Sequence, residues 1–403
     1  MRRRDFMKLS MATALSPLIP TFALAGSPAP TTRSFENLFV VMLPGGWDTT
    51  YVFEPKPGNE QIHAPSGAVQ SVGNLDLWLS DTRPSASNFF EKHNALCAVI
   101  NGLQVRSIAH LPCTRRILTG RSSGDSPDLA SIIGHEMGRD LPVGKLALGN
   151  VHFAGPLAHS TVTVGATNQL IGVLKASEAY PKTVTAAFPD YAPSAAEGDA
   201  IQAYLRTRAE RELAQRGRLG ANRRQIENYM SALERSRVLR DYADEFGARG
   251  ETLDIAAQAE IAVAAIRSGL TRVVVLQDRA NWDTHISLTE QGQLMEGLFS
   301  GLSALVESLQ SAPGNRSGNS LLDESLVVVL SEMSRTPLPN GTGGKDHWPY
   351  TSALLIGPQI RTGIYGGTDE KLVGWNIDFD TGSRQEGGFP LMAENLLAGI
   401  LQG

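Results

Sequence analysis

The sequence predicts an α/β protein with a mostly parallel β-sheet and helices on both faces of that sheet. Short apolar runs rich in β-branched residues, at residues 37–43, 272–277 and 325–330, have the length and composition of buried strands. Between them lie longer stretches whose apolar residues recur at helical spacing, such as residues 255–270 and 289–309. Strands that alternate with helices in this way are typical of a parallel sheet covered on both faces.

Composition limits the classes of protein and partner. The chain has 403 residues, of which 42% are hydrophobic and 19% are charged, as in a globular domain with a large core. A formal net charge of −5 argues against a nucleic-acid partner. No apolar run of about 18 residues is available to cross a bilayer, so we expect no stable membrane span in the mature chain.

The first 25 residues have the features of an export signal. An arginine pair at residues 3–4 lies in a motif typical of twin-arginine signals, a mildly apolar stretch follows at residues 9–24, and Ala-Leu-Ala at residues 23–25 is a small-residue cleavage site. We therefore expect cleavage before Gly26 and a single mature domain of residues 26–403. The predicted route is the twin-arginine export machinery, which carries folded proteins to the periplasm or the cell exterior.

The first predicted strand leads to a candidate metal ligand. After residues 37–43 come Gly45, Gly46 and, two residues later, Asp48. The two glycines give the backbone the freedom to turn Asp48 inward at the end of the strand.

A second strand, at residues 95–100, precedes a short predicted helix. Pro112 fits the first turn of this helix and Gly120 fits the position just past its end. His110 therefore lies at the N-terminus of the helix, a position that favours anions.

The middle of the chain carries fewer signals. Residues 121–195 mix glycine and proline with short apolar stretches, and we expect His135, His152 and His159 to be surface or core residues there. Residues 195–247 are helical in pattern and highly charged, with arginines and acids in near balance. We interpret them as a helical insertion that covers or flanks a site, because they have too few large apolar residues for a core of their own.

Acidic residues and a histidine follow the later strands. Asp283 and His285 come just after the strand at residues 272–277, and Glu332 directly follows the strand at residues 325–330. The carboxyl ends of parallel strands meet at one edge of a sheet, which is where α/β proteins place their sites.

A glycine-rich loop at residues 340–344 then leads to Asp346 and His347, and a strand at residues 352–357 is expected to close the sheet. Carboxylate oxygens and imidazole nitrogens both suit zinc-like cations. The sequence thus predicts a divalent metal, with zinc as the best match, and the ligands predicted from the strand ends are Asp48, Asp283, His285, Glu332 and His347.

The two cysteines leave two states open. Cys97 and Cys113 could be bridged in an oxidising compartment, or could be buried free thiols. The apolar neighbours of Cys97 favour the free thiol for that residue.

Four motifs, taken together, resemble those of a known family. They are Gly45-Gly46-Trp47-Asp48, Asn281-Trp282-Asp283-Thr284-His285, Ser331-Glu332-Met333-Ser334-Arg335-Thr336 and Asp346-His347-Trp348. The set is similar to the exported bacterial family called domain of unknown function 1501, a branch of the alkaline phosphatase and sulfatase superfamily. The resemblance spans nearly the whole mature chain and implies an alkaline-phosphatase-like fold with two metal ions. The superfamily's site positions correspond, in order, to Asp48, His110, Asp283 with His285, Glu332 and His347.

This sequence departs from the superfamily pattern at two positions. Counted back from Thr119-Gly120, His110 takes the place of the serine or threonine nucleophile. Met333 stands where the superfamily usually supplies another metal-binding histidine. The second metal would then be bound loosely, or Asp346 or His110 would complete its site.

Two functions are consistent with the resemblance. The first is an exported, metal-dependent hydrolase or transferase that acts on a phosphate, phosphonate or sulfate ester, either a small molecule or a component of the cell envelope. His110 would then be the residue nearest the substrate, as a nucleophile, a proton donor or a metal ligand. The second is a catalytically silent exported protein of the same fold that binds a metal or an envelope component.

Overall fold

The fold is described by a computed structural model, and the predicted export signal at residues 1–25 lies outside the residues it describes. Those residues are 35–165, 169–174, 194–217, 220–246 and 254–402. None of the helices within them combines the length and apolarity needed to cross a bilayer.

The strands form one large sheet and three small two-stranded sheets. In chain order they are β1 (Asn37–Met42), β2 (Ala68–Val72), β3 (Leu75–Leu79), β4 (Cys97–Gln104), β5 (Lys145–Ala147), β6 (Thr161–Thr163), β7 (Val273–Gln277), β8 (Ser325–Leu330), β9 (Ser334–Arg335), β10 (His347–Trp348), β11 (Tyr350–Ile356), β12 (Gly363–Gly366), β13 (Asn376–Ile377) and β14 (Phe389–Pro390). The small sheets pair β2 with β3, β9 with β10 and β13 with β14.

The large sheet has eight strands in the order β12-β4-β11-β8-β1-β7-β5-β6. Strand β11 runs antiparallel to both of its neighbours, and the other pairs are parallel. The predicted mostly parallel sheet is therefore confirmed.

The expectation that residues 352–357 close the sheet is wrong, because β11 lies inside it, between β4 and β8. The chain returns from β8 to β11 through loops and the short strands β9 and β10, with no crossover helix to carry it to the other end of the sheet. A return of this kind gives antiparallel pairing.

The helices of the described residues alternate with these strands. In chain order they are α1 (Pro84–His93), α2 (His110–Thr119), α3 (Leu129–Met137), α4 (Ile171–Leu174), α5 (Ala195–Arg216), α6 (Gly220–Asp241), α7 (Ile255–Arg267), α8 (Thr289–Ser311) and α9 (Ala393–Gln402). The predicted short helix that begins at His110 and ends before Gly120 is confirmed.

Alternating residues of the central strand β1 belong to two separate cores. Phe39 and Val41 pack in a core to which helices α1, α7 and α8 contribute, for example through Phe299. Leu38 and Val40 pack in a second core, to which helices α2, α3 and α9 contribute. Because successive side chains of a strand point to opposite faces, the predicted helices on both faces are confirmed.

The charged helices predicted at residues 195–247 are present as α5 and α6, which pack against each other. Among their described side chains, only Ala209 and Leu239 are buried. Leu239 belongs to the first core, and Arg235 Nη1 donates a hydrogen bond to the carbonyl of His159 at 2.8 Å. Helix α6 therefore connects the pair to the first core and to the segment that carries His159, while the role of the pair as an insertion beside the site stays a prediction.

Cys97 and Cys113 are both buried free thiols. Burial raises the pKa of the Cys97 thiol to about 12, so this residue is a neutral core side chain.

Candidate functional site

Three adjacent central strands bring the predicted site residues to one edge of the sheet. In the parallel register, Met42 of β1 pairs with Leu330 of β8 on one side and with Gln277 of β7 on the other. The three strands therefore end at the same level, and the loops that follow them emerge together. These loops carry Asp48, Asp283 and Glu332.

Three histidines converge on the carboxylate of Asp283. The Nε2 atoms of His285 and His347 each lie 2.9 Å from Asp283 Oδ1 and 3.0 Å from each other. The Nε2 atom of His110 lies 3.3 Å from the other oxygen, Oδ2. The cluster of His110, Asp283, His285 and His347 is hereafter called the histidine cluster.

Each histidine of the cluster also has an outer partner at Nδ1. His347 Nδ1 lies 2.8 Å from the carbonyl oxygen of Ile108, and His285 Nδ1 lies 3.1 Å from Asp346 Oδ1. Such partners accept the Nδ1 proton, which fixes the ring and leaves the Nε2 lone pair free to bind a cation.

His110 follows the same pattern with a buried partner. Its Nδ1 lies 2.9 Å from Glu332 Oε1, which also accepts a hydrogen bond from the backbone N–H of Gly45 at 2.8 Å. The hydrogen bond to Glu332 is the main cause that raises the pKa of His110; together with the charges of Glu332 and Asp283 it outweighs burial, which acts in the opposite direction.

Arg335 fixes Asp283 from behind. Its Nη2 donates to Asp283 Oδ1 at 2.9 Å and to the carbonyl of Trp282 at 2.7 Å, and the side chain is fully buried. Burial raises the pKa of Asp283, but hydrogen bonds from His347 and Arg335 outweigh it and hold that pKa well below its usual value. The carboxylate is therefore ionised.

Two glycines allow the loops of the site to approach each other. Gly45 has a φ of 129°, and a Cβ atom there would lie 2.5 Å from the backbone nitrogen of Asp283. A Cβ atom at Gly344 would overlap the backbone of His285. Any larger residue at either position would push the loop that carries Asp283 and His285 away from its neighbours.

Asp48 is held by a lysine and is not in contact with the histidine cluster. Its Oδ2 lies 2.7 Å from Lys345 Nζ, and its Oδ1 accepts hydrogen bonds from the backbone and side chain of Thr50. Asp48 and Lys345 are 0% and 2% exposed, so this is a buried ion pair. The ammonium group of Lys345 occupies one side of the carboxylate that a second cation would need.

The remaining predicted residues lie together. His110, Asp283, His285 and His347 form the cluster itself, and Glu332 and Asp346 lie directly behind two of its histidines. Asp48 is paired with Lys345, which precedes Asp346 in the chain. Whether each predicted residue binds a metal or substrate stays a prediction.

The donor atoms of the cluster fit one divalent cation. Asp283 Oδ1, His285 Nε2 and His347 Nε2 are separated pairwise by 2.9–3.0 Å. Zinc binds nitrogen and oxygen ligands at about 2.0–2.2 Å, so atoms closer together than twice this distance can share an ion. Ligand atoms of His110, Asp283 and His347 likewise all lie within 4.8 Å of one another.

Sequence reasoning missed three residues that build the site. Arg335 and Lys345 are cations, and a search for metal ligands considers acids and histidines. Gln291 of α8 accepts from the backbone N–H of Asp48 and donates to the carbonyls of Gly46 and Trp282, which joins two of the loops. Only the position of Arg335 within the Ser331–Thr336 motif could have indicated from the sequence that it belongs to the site.

The three histidines without motif context lie outside the cluster. His152 contacts Lys145 Nζ at 3.5 Å and Thr163 Oγ1 at 3.0 Å. The rings of His135 and His159 contact each other. His152 and His159 are half-buried, and a purely structural role for these histidines stays a prediction.

Fold and site together define an α/β protein with a histidine–aspartate cluster at the carboxyl edge of a mostly parallel sheet. Residues 36–374 match the family described as "Protein of unknown function (DUF1501)". The chain belongs to this family, which confirms the family resemblance seen in its motifs. A comparison with curated proteins finds no match.

The solved structures to which this chain is similar share little sequence with it. Ps i-CgsB, solved in complex with k-i-k-neocarrahexaose, is 12% identical, with a TM-score of 0.39 over 83% of this chain and 69% of that one. A Vibrio parahaemolyticus protein in the alkaline phosphatase superfamily is 10% identical, with a TM-score of 0.34 over 90% and 71% of the two chains.

A third similar structure is that of an integral membrane protein, lipooligosaccharide phosphoethanolamine transferase A (EptA) from Neisseria meningitidis. It is 10% identical, with a TM-score of 0.33 over 88% of this chain and 54% of that one. TM-scores this low do not support the transfer of an activity or a site.

Proposed function

We propose that this protein is a metal-dependent hydrolase or transferase that acts on a phosphate, phosphonate or sulfate ester. The observation that carries the proposal is the convergence of three histidine Nε2 atoms on Asp283, with every Nδ1 fixed by an outer acceptor. Donor sets of this kind, with partners behind the histidines, suit zinc-like cations. A bound divalent cation would polarise an ester oxygen and lower the pKa of water.

We assign the cation to Asp283, His285 and His347. Arg335 keeps Asp283 ionised and in place, and the carbonyl of Ile108 fixes the ring of His347. Asp346 and Glu332 are better explained as positioning residues than as ligands, because each carboxylate is bonded to a histidine Nδ1.

The buried ion pair of Asp48 and Lys345 argues for one metal ion at the site, whereas the superfamily resemblance implies two. The lysine already neutralises the carboxylate at 2.7 Å. Removing either partner would leave a buried, unpaired charge, at a cost of about 3–5 kcal/mol. The pair as a whole therefore carries no net charge, and the Asp48 carboxylate is already neutralised before any second cation could bind it.

His110 is our candidate for the residue nearest the substrate. Its Nε2 contacts Asp283 Oδ2, while His285 and His347 contact Oδ1. His110 Nε2 therefore lies beside the three proposed metal ligands. From this position an imidazole could attack phosphorus or sulfur, or donate a proton to the leaving group. Thr114 is a second candidate nucleophile, but its hydroxyl donates a hydrogen bond to the backbone carbonyl of His110.

The surroundings of the cluster favour a substrate with an apolar part. Ile108 and Leu111 are each 59% exposed and Ile286 is 71% exposed. Leu111 and Ile286 directly follow cluster histidines in the chain, and Ile108 bonds His347 through its carbonyl. Exposed apolar side chains around a polar site are a mark of ligand or membrane contact, which suits an ester of the cell envelope and the proposed export by the twin-arginine route.

One observation favours the second candidate, a catalytically silent metal-binding or envelope-binding protein. Within the described part of the chain, no hydroxyl or thiol is hydrogen-bonded to the side chains of His110, Asp283, His285 or His347. Without a hydroxyl nucleophile, turnover would depend on water or on His110 itself.

The two candidates are separated by a turnover screen of the mature protein, residues 26–403, against p-nitrophenyl esters of phosphate, phenylphosphonate and sulfate. We expect turnover of one ester class that is lost after chelation and restored by zinc or another divalent cation. His110→Ala should lose turnover while keeping the cation. Turnover that persists without any metal would contradict the proposal, and a metal-loaded protein inactive on all three classes would favour the silent alternative.

A further inference from the structure

A second cleft, outside the histidine cluster, is lined by the start of α8, residues 63–66 and Arg83. Its volume is about 610 Å³, within the range of about 300–1,000 Å³ that is usual for small-molecule sites. Its walls include the side chains of Tyr51, His63, Leu288 and Glu296. No residue of the histidine cluster lines this cleft.

Arg83 is a buried cation in the wall of the cleft. It is 4% exposed, and its guanidinium donates one hydrogen bond, from Nη2 to the carbonyl of Ser66 at 3.1 Å. Its Nε has no partner, and no carboxylate of the described residues lies within 4.0 Å of the guanidinium. The guanidinium stacks on the ring of Tyr51, with its Cζ 5.5 Å from the ring centroid.

The acidic residue that lines the cleft together with Arg83 is already hydrogen-bonded elsewhere. Both oxygens of Glu296 accept hydrogen bonds from the backbone N–H of Ser85, and Oε1 also accepts from the Ser85 hydroxyl. Burial lowers the pKa of Arg83, and electrostatic interactions with Tyr51 and Glu296 oppose this only in part. A buried cation without a carboxylate in contact is costly, and an anion in the cleft would remove that cost.

We propose that this cleft binds an organic anion through Arg83, namely a small molecule with a carboxylate, phosphonate, phosphate or sulfate group next to an apolar part. The guanidinium offers a planar set of donors that suits such oxyanions. The ring of Tyr51 and the side chains of Pro65 and Leu288 provide apolar walls for the remainder of the ligand. This binding requires neither a metal nor turnover at the histidine cluster.

The proposal is tested by titrating the chelator-treated mature protein with phenylphosphonate and measuring the heat of binding by calorimetry. We expect saturable binding of one molecule per chain, and affinity at least about tenfold weaker in Arg83→Met because a charge-assisted contact is lost. The matched control is Arg279→Met, which removes a half-buried arginine bonded to the carbonyl of Leu148, away from the cleft. It should bind as the wild type does.

A second pair of variants tests the cleft without removing its charge. A Cβ atom at Gly292 of α8 would lie 3.6 Å from the Tyr51 ring and 3.9 Å from Arg83 Cδ, so Gly292→Leu should fill the cleft and weaken binding at least about tenfold. Gly297→Leu, on the same helix but facing open space, should leave binding unchanged. Both changes suit a helix, so the fold should persist.

The histidine cluster provides the opposing outcome. If phenylphosphonate bound to the cluster instead, His347→Ala would weaken binding while Arg83→Met and Gly292→Leu would not, and the proposal would be wrong. The absence of saturable binding to the wild type would equally overturn it. Neither result would bear on the proposed ester chemistry, which is measured separately by metal-dependent turnover.

Discussion

The chemistry proposed for this protein depends most on a single side chain, that of Asp283. Its Oδ1 is in contact with Arg335, His285 and His347, and its Oδ2 faces His110. The guanidinium of Arg335 is a permanent cation that balances the carboxylate. A metal ligand has to be deprotonated to bind, and the arginine keeps Asp283 in that state.

The first prediction separates ligands from the residues behind them. We expect His347→Ala to lose bound zinc, and Asp346→Asn to weaken zinc binding about 10- to 100-fold, because Asp346 only orients His285. Zinc content and competition with a chromophoric chelator measure both effects. His159→Ala, which removes a histidine outside the cluster, is the matched control. Full retention of zinc by His347→Ala would refute the assignment.

A second residue-level prediction concerns His152, whose pKa burial lowers to about 4, with a further lowering by the charge of Lys145. Between the usual pKa of about 6.5 and this value, the unfolded chain binds a proton that the folded chain does not, so stability falls as the pH falls. The loss amounts to about 2 kcal/mol between pH 7 and pH 5. Urea unfolding of His152→Gln should show an acid dependence smaller by about that amount, and an unchanged dependence would show that His152 does not cause it.

At the level of the elements, the loop after β1 decides whether the site can assemble. Trp47 is fully buried in this loop and donates through Nε1 to Thr351 Oγ1 at 2.9 Å. Gly45 and Gly46, both with positive φ, carry the chain past the loops that follow β7 and β8. The motif Gly45-Gly46-Trp47-Asp48 thus packs the loop against its neighbours and also positions Asp48.

Gly45→Ala tests this role. Backbone strain at a positive φ costs about 1–3 kcal/mol, and here the new Cβ would also meet the backbone of Asp283 at 2.5 Å. Gly58→Ala is the matched control, because Gly58 has a φ of 71° and nothing within 4 Å of the added Cβ. Denaturant unfolding should show a larger loss of stability for Gly45→Ala, by about 2 kcal/mol or more. Equal losses would mean that the loops have room to move apart.

The helices α5 and α6 give a prediction at the same scale. Ion pairs such as Arg206 with Glu234 join them, but these exposed contacts are each worth little. Leu239 of α6 packs in the first core. A peptide of residues 194–246 should therefore show partial helicity by circular dichroism and no cooperative thermal transition. A sharp two-state transition would identify these helices as an independent domain.

For the whole molecule, strand and helix patterns were enough to predict the sheet and its two covered faces. The runs at residues 37–43 and 325–330 are buried on both sides, and continuous apolar runs of that kind are typical of parallel central strands. The direction of β11 was not predictable, since it follows from a long return through loops. Periodicity describes the faces of an element and not the path between elements.

For the candidate site, the sequence was enough to predict which acids and histidines lie near the ends of strands and helices, but not how they pair with cations. Asp283 and His285 could be placed at one edge because the strand before them ends there, and His110 because its helix begins there. His347 precedes β11 and reaches the same edge because β11 runs antiparallel to β8. Arg335 and Lys345 escaped notice because a sequence does not reveal which acids are already paired with cations. The ion pair of Asp48 with Lys345 is a contact between positions 297 residues apart, and only the fold brings them together.

The proposed one-cation site is tested most directly by a crystal structure of the zinc-loaded mature protein, with anomalous scattering measured at the zinc edge. We expect one strong peak per chain, at about 2.0–2.2 Å from Asp283 Oδ1, His285 Nε2 and His347 Nε2. Asp48 should remain paired with Lys345, without a second peak beside it. Zinc bound elsewhere, with the three side chains still hydrogen-bonded to one another, would contradict it.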